Sequence, residues 1–155
     1  MGMRAEVVAP FVAAAVEVLS AEAGVEVHRG KLWLETGGIR VNGIAALISL
    51  VGRVEGLVML NLDTRSCLAL VSAMIGEEQQ RLNELVQSAV AELCNVIAGK
   101  AATKLSRLGM ETNITVPSLI IGNDVTISIL RLSRLVIPLQ AQLGKLELHL
   151  ALKEG

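Results

Sequence analysis

Two polar side chains that could act together lie one helical turn apart in the stretch SAVAELCNVIAGKAATKL, residues 88–105. Ser88, Glu92 and Asn95 have the spacing i, i+4, i+7, which places them on one face of a helix. An asparagine amide does not titrate and cannot act as a base or a nucleophile, but it can hold a water molecule by hydrogen bonds. Positioning a water suits phosphoryl transfer. Glu92 is then either a base or an anchor for a partner's lysine.

The other groups that phosphate chemistry requires are missing from the sequence. There is no Walker loop, metal-ligand cluster or Ser/His/Asp arrangement, and ETGGIRVNG lacks both the phosphate-loop spacing and a following helix. Cys67 and Cys94 form no CxxC pair, and His28 and His149 have no evident partner. We therefore expect no metal or cofactor on this chain, and a partner that supplies the phosphate and its metal.

Small residues lie beside the polar face, namely Ala91, Ala98, Gly99 and Ala102. They would let a second protein approach closely, which makes Ser88, Ala91 and Gly99 candidate partner contacts. A glycine inside a helix costs about 1 kcal/mol relative to alanine, so tight packing or a partner should compensate at Gly99. The predicted core stripe on the other side is Leu85, Ala89, Leu93, Val96 and Ile97. An ordinary solvated helix surface is the alternative interpretation of the same spacing.

Composition limits the class of protein. Of the 155 residues, 52% are hydrophobic, and the mean hydropathy is +0.58, which predicts a folded domain with its own core. No uncharged apolar run reaches the roughly 18 residues of a membrane helix, and Glu6 and Pro10 argue against a signal peptide. A net charge of −1, with Phe11 and Trp33 as the aromatic residues, argues against nucleic-acid binding. The cytoplasm is the expected compartment.

Apolar periodicity predicts alternating helices and strands. Helices are predicted from Pro10 to Ala23, from an Asp63 or Thr64 cap to Gly76, and from an Asn83 cap to about Leu108. Strand patterns occur in VEVHRGKLWLE, GIAALISLVG, EGLVMLNLD, NITVPSLIIG, VTISILRL, LVIPLQAQLG and KLELHLALK. Gly122-Asn123-Asp124 predicts a hairpin turn. We expect an α/β (α+β) protein in which long helices pack on a mainly antiparallel sheet.

An internal repeat relates the two parts of the chain. When Gly24 is placed over Gly99, AAAVEVLSAEAG aligns with SAVAELCNVIAG, and further on VGRVE matches LGKLE. We therefore expect one domain, residues 1–155, with pseudo-twofold halves at about 1–82 and 83–155. In this alignment Glu17 falls on Glu92, but Ser20 stands where the second copy has Asn95. Only the second copy therefore carries both the glutamate and the asparagine.

The string Ser88-x3-Glu92-x2-Asn95 resembles the signature of the CheC/CheX/FliY family of bacterial chemotaxis phosphatases, which is (Asp or Ser)-x3-Glu-x2-Asn. The likeness extends over nearly the whole chain. ELCNVIAGKAATKLSRLG followed by PSLIIGNDVTI resembles the second half of CheX-type members. APFVAAAVEVL resembles their first helix, and LVGRVEGLVMLNLD with ALVSAMIGEE resembles their central strands and second helix.

The resemblance implies an activity toward the response regulator CheY, whose phosphoryl group is carried by an aspartate. By this likeness Asn95 orients the attacking water, Glu92 pairs with the regulator's active-site lysine, and Ser88 fills the first signature position. The Mg²⁺ ion would belong to the regulator. CheX-type members carry one signature per chain and tend to be homodimers. The VEVHRGKLWLE and KLELHLALK strands are the candidate edges for pairing between subunits.

Two other functions stay open on the sequence. The chain could be a binding module that docks on a phosphorylated receiver domain without hydrolysing it, although a module that only binds would not need the complete Glu-x-x-Asn pair. It could also be a structural or oligomerisation domain on which the motif is surface decoration. The lifetime of the receiver's phosphoryl group separates the first of these from a phosphatase, and binding to any receiver tests the second.

Overall fold

A computed structural model of the chain describes residues 3–128 and 133–154. Within them, three helices and one sheet of eight strands form a two-layer α+β fold. All strand pairs of the sheet are antiparallel. The elements in chain order are α1 (Ala5–Ala23), β1 (His28–Arg29), β2 (Trp33–Glu35), β3 (Ile39–Gly52), β4 (Val54–Asp63), α2 (Thr64–Ile75), α3 (Glu84–Arg107), β5 (Thr112–Ile114), β6 (Ser118–Ile127), β7 (Arg134–Ala141) and β8 (Gly144–Glu154). The predicted fold class is confirmed.

Each edge of the sheet is formed by two separate strands instead of one continuous strand. The short β1 and β2 both pair with β7 at one edge, and β5 and β6 both pair with β3 at the other. The order between the edges is β7-β8-β4-β3. The VEVHRGKLWLE segment therefore lies at an edge as predicted. The prediction of KLELHLALK as an edge strand is wrong, because this segment is β8 and pairs with β4 on one side and β7 on the other.

The three helices cover one face of the sheet and close the main core with it. Helix α1 begins at Ala5, five residues before the predicted start, because the Arg4 carbonyl accepts hydrogen bonds from the Val7 and Val8 amides. Pro10 therefore lies inside the helix. Its missing N–H leaves the Glu6 carbonyl without a helical donor, and the exposed position of Glu6 lets water replace that donor.

The other face of the sheet is partly covered by the start of β3, which crosses it. The Asn61 amide of β4 donates to the Arg40 carbonyl at 2.9 Å, and the Arg134 guanidinium of β7 donates to the carbonyls of Gly37 and Gly38 at 2.7 and 3.1 Å. A small second core lies beneath this crossing, formed by Ile39, Val41, Ala45 and Met59. On β8, His149 lies on this covered side of the sheet and is only 5% exposed.

The predicted hairpin at residues 122–124 is a β-bulge inside β6. Val41 pairs with Val125 and Gly43 with Gly122, so two residues of β6 stand opposite one residue of β3. Asp124 has φ 62°, and this left-handed residue absorbs the extra position without reversing the chain. Strand β6 ends at Ile127, and residues 129–132 of the VTISILRL pattern lie outside the described residues.

The two pentapeptides that match in the internal repeat lie at equivalent hairpin turns of the sheet. VGRVE spans the turn between β3 and β4, and LGKLE spans the turn between β7 and β8. Each turn follows a helix and an interrupted edge strand, so residues 5–63 and 84–154 share one order of elements. Each edge strand pairs with the hairpin of the other half, β1 and β2 with β7, and β5 and β6 with β3.

Candidate active site on helix α3

Both ends of helix α3 are set by local sequence signals, including the predicted Asn83 cap. The Asn83 side chain accepts a hydrogen bond from the Val86 amide at 2.9 Å, and Glu84 adds an acidic group to the first turn. The last turn carries Lys104 and Arg107, which suit the negative end of the helix dipole. Gly109 follows with φ 79°, in the left-handed region that ends a helix. The outer-face side chains of this helix are thus carried by a well-defined stretch, Glu84–Arg107.

The buried side of α3 differs from the predicted core stripe. The fully or nearly fully buried residues are Val86, Val90, Leu93, Cys94, Ile97, Ala98, Ala101 and Leu105. The prediction is right for Leu93 and Ile97 but wrong for Leu85 and Val96, whose exposed fractions are 53% and 37%. Apolar residues surround much of this helix, and the small Ala98 and Ala101 complete a second stripe with the same helical period. That second stripe is the side against which the sheet and α1 pack.

Ser88, Glu92 and Asn95 lie together on the outer face, with Ser88 and Glu92 exposed and Asn95 half-buried. In the described part of the chain, the polar contacts of α3 side chains involve other residues, such as Gln87, Thr103 and Lys104. The Glu92 carboxylate and the Asn95 amide are therefore open to a partner. Ala91 and Gly99 are half-buried beside them, at the positions predicted for close approach.

The corresponding carboxylate of the first half is already occupied. Glu17 on α1 contacts Lys100 at 3.4 Å and Lys104 at 3.2 Å, both on α3. The hydrogen bonds from Lys104 and then Lys100 hold the pKa of Glu17 below its usual value. Glu17 thus joins α1 to α3, whereas Glu92 has no such pairing among the described residues. The two aligned glutamates have different roles in the fold.

Gly99 is not required by packing within the chain. A Cβ atom added there would meet one neighbouring atom within 4 Å, Ile114 Cδ1 at 3.8 Å, which is an ordinary van der Waals distance. Of the two compensations expected for a helical glycine, tight internal packing is therefore excluded. The approach of a partner at Gly99 stays a prediction.

The other reactive residue types are held in structural roles. Cys67 and Cys94 are buried, and desolvation raises the pKa of each thiol to about 12, so neither is a nucleophile at neutral pH. His149 was not given a partner by the sequence. Its Nδ1 accepts from Arg134 Nε at 3.1 Å, and its Nε2 lies 2.9 Å from Glu147 Oε1. Both ring nitrogens are thus engaged on the face of the sheet away from α3.

Neither the main groove on the helix-free face nor any metal cluster among the described residues lies at Glu92 and Asn95. A groove of about 470 Å³ lies on the helix-free face, where Trp33, Arg40 and Glu147 are among its lining residues. Among the described residues, no group of three or more His, Cys, Asp or Glu side chains could hold a metal ion. No helix in residues 3–128 and 133–154 is long and apolar enough to cross a membrane. Glu92 is exposed and Asn95 is half-buried on the outer face of α3.

The known proteins that are similar to this chain by sequence and by structure include CheX proteins. The family model named Chemotaxis phosphatase CheX matches residues 44–140. The CheY-P phosphatase CheX of Thermotoga maritima is 32% identical over 158 residues, which cover 99% of each chain. CheX of Vibrio vulnificus is 27% identical with a TM-score of 0.86, covering 96% of this chain and 100% of the other.

A chain of the CheX-CheY-BeF3-Mg²⁺ complex of Borrelia burgdorferi is also similar, with 29% identity and a TM-score of 0.84 over 97% of this chain and 100% of that one. The family match, the full-length sequence identity and the shared fold agree with the resemblance carried by Ser88, Glu92 and Asn95. The chain belongs to the CheX family of chemotaxis phosphatases.

Proposed function

We propose that this protein accelerates hydrolysis of the aspartyl phosphate on phosphorylated CheY-like response regulators. The observation that carries the proposal is that Glu92 and Asn95 lie without intrachain polar partners, among the described residues, on one face of a capped helix. The relative in T. maritima is named a CheY-P phosphatase, and the B. burgdorferi structure contains CheX together with CheY. Both support a receiver domain as the partner of this surface.

In this mechanism Asn95 holds the attacking water. The amide oxygen accepts a hydrogen bond from the water and directs the water oxygen toward phosphorus, opposite the bond to the aspartate oxygen. The new P–O bond forms as that bond breaks, so the aspartate leaves as a carboxylate and the product is inorganic phosphate. Since little else is required of the protein in phosphoryl transfer, one well-placed amide can supply a large acceleration.

Glu92 anchors the partner in this proposal. Its exposed carboxylate pairs with the regulator's active-site lysine and so sets the position of Asn95 relative to the phosphorus atom. Ser88, Ala91 and Gly99 form the contact surface around the pair. The Mg²⁺ ion that neutralises the phosphate is placed on the regulator, and the B. burgdorferi complex that contains CheY also contains Mg²⁺. The cytoplasm is the compartment that this partner requires.

We further propose that the protein is a homodimer that pairs through an open sheet edge. Strand β6 has ten residues and pairs, within the described part of the chain, with β3 alone, so its other side presents unpaired backbone groups. Ile121 and Val125 on this strand are exposed. An edge interface leaves the outer face of α3 free for the receiver. Light scattering of the parent and of an Ile121→Lys variant measures the mass, and a monomeric parent would contradict the dimer.

The test of the activity is the lifetime of the phosphoryl group on a CheY-like receiver, with and without this protein. We expect Asn95→Ala to lower the stimulated rate on the order of 10²-fold, as loss of a single positioning group does in other enzymes. Asn42→Ala is the matched control, because it removes an exposed asparagine from β3, away from α3. An Asn95→Ala protein as active as the parent would refute the mechanism.

The same assay separates the alternatives. A parent protein that binds the phosphorylated receiver but leaves the phosphoryl lifetime unchanged would be a binding module. A parent protein that binds no receiver of its organism would have a structural role. Circular dichroism and urea unfolding of each variant establish that a loss of rate is not a loss of fold.

A further inference from the structure

Two large apolar side chains remain exposed on α3 although its other large apolar residues are buried. Leu85 is 53% exposed and Val96 is 37% exposed. Single exposed apolar residues are common on proteins and need no explanation. These two lie on either side of Glu92 along the helix, on the outer face that also carries Ser88 and Asn95. Their position beside the proposed site is the feature to be explained.

Helix geometry places both side chains within reach of anything that contacts Glu92. At 1.5 Å per residue, Leu85 lies about 10 Å before Glu92 along the axis and Val96 about 6 Å after it. At about 100° per residue, Leu85 and Val96 differ by about 20° around the helix, and Glu92 lies within about 40° of each. The three side chains thus form one strip about 16 Å long. A protein that brings a cation to Glu92 must cover part of this strip.

We propose that Leu85 and Val96 are the apolar anchors of the receiver contact, which set its affinity and the choice among receivers. The inference rests on the proposed function and deepens it. Glu92 and Asn95 act at the lysine and the phosphate, whereas Leu85 and Val96 bury apolar surface outside the reacting atoms. Binding energy at interfaces concentrates in a few such side chains that lose their water on contact.

The protein that covers the strip of Leu85, Glu92 and Val96 is a receiver and not a second copy of this chain. A dimer built on this strip would cover the Glu92 carboxylate and the Asn95 amide, and the proposed function needs both to be open. The receiver should therefore present apolar side chains next to its active-site lysine, matching the apolar-acidic-apolar order of Leu85, Glu92 and Val96. A receiver with charged groups at those places should be a poor substrate.

The test compares Leu85→Ala and Val96→Ala with Leu108→Ala in steady-state hydrolysis of phosphorylated receiver. Leu108 is 58% exposed and follows α3 directly, so it controls for loss of an exposed leucine outside the strip. We expect Leu85→Ala to raise KM about tenfold with kcat within about twofold, Val96→Ala to raise KM less, and Leu108→Ala to change neither. Leu85→Met should restore most of the affinity, because it keeps the apolar volume.

Three results would overturn the inference. The first is a KM for Leu85→Ala and Val96→Ala equal to that of the parent, and the second is a fall in kcat at unchanged KM. The third is a change of oligomeric state in Leu85→Ala, which would make the strip an interface between copies. Alanine is a good helix former, so folding should be preserved, and the urea midpoint checks it. A parent protein that hydrolyses no receiver would instead refute the proposed function itself.

Discussion

Replacing Gly99 with alanine tests whether this position serves the fold or the partner. The added Cβ meets Ile114 Cδ1 at 3.8 Å, so the chain accommodates it without movement. Glycine is about 0.8–1 kcal/mol less favourable than alanine in a helix interior, which is the expected gain in the free energy of unfolding. For a domain of this size that gain corresponds to a rise in Tm of about 2–4 °C.

Activity should change in the opposite direction. If a receiver packs against the backbone at Gly99, the new methyl group occupies the space of a partner atom, and overpacking of a close contact typically costs about 1–3 kcal/mol. A cost of about 1.4 kcal/mol raises KM about tenfold. The expected variant is therefore more stable and a poorer phosphatase, as measured by urea unfolding and by the phosphoryl lifetime of the receiver.

Ser106→Ala is the control for a general effect of stabilising α3. Ser106 is exposed near the end of the helix, and alanine there improves helix propensity without adding bulk beside Asn95. We expect it to raise stability slightly and to leave the rate unchanged. A Gly99→Ala protein that is as active as the parent, or less stable than the parent, would refute a partner contact at Gly99.

Two further predictions concern groups away from α3. Cys67 and Cys94, whose pKa values burial raises to about 12, should resist iodoacetamide in the native protein at pH near 8 and react after urea unfolding; mass spectrometry counts the adducts, and rapid native labelling would contradict the burial. The hydrogen bond from His149 holds the pKa of Glu147 below its ordinary 4.5, so Glu147 should stabilise the chain relative to Glu147→Gln above that pH. This advantage should be lost as the pH falls through the lower, folded-state pKa, and a difference in unfolding free energy that persists unchanged to about pH 2 would refute the assignment.

The sequence predicted the features that depend on local chemistry. The Asp63 and Asn83 caps form as expected, since each side chain accepts a hydrogen bond from an amide three residues later. The helices and strands follow from the helical and strand periods, and short Gly-containing connections between consecutive strands favour antiparallel pairing. The family resemblance carried by Ser88, Glu92 and Asn95 is confirmed by the full-length similarity to a CheX protein. The roles of these residues stay predictions.

The features that depend on tertiary packing could not be predicted from the sequence. Two apolar stripes of equal period run along α3, and which one faces the core depends on where the sheet and α1 lie. Leu85 was therefore placed in the core, although it is exposed. The pairing of Glu17 with Lys100 and Lys104 joins residues more than eighty positions apart, which no local pattern reports. The Asp124 bulge and a hairpin turn use the same residue types, and only strand pairing distinguishes them.

The crossed arrangement of the edge strands has a consequence for how the molecule unfolds. Because β1 and β2 complete the second hairpin, and β5 and β6 complete the first, neither repeat contains all the hydrogen-bond partners of its own strands. Separating residues 1–82 from 83–155 would leave unpaired strand edges and open apolar surface on both pieces. The chain should therefore melt in a single cooperative transition, with slow refolding that waits for these distant pairings to form.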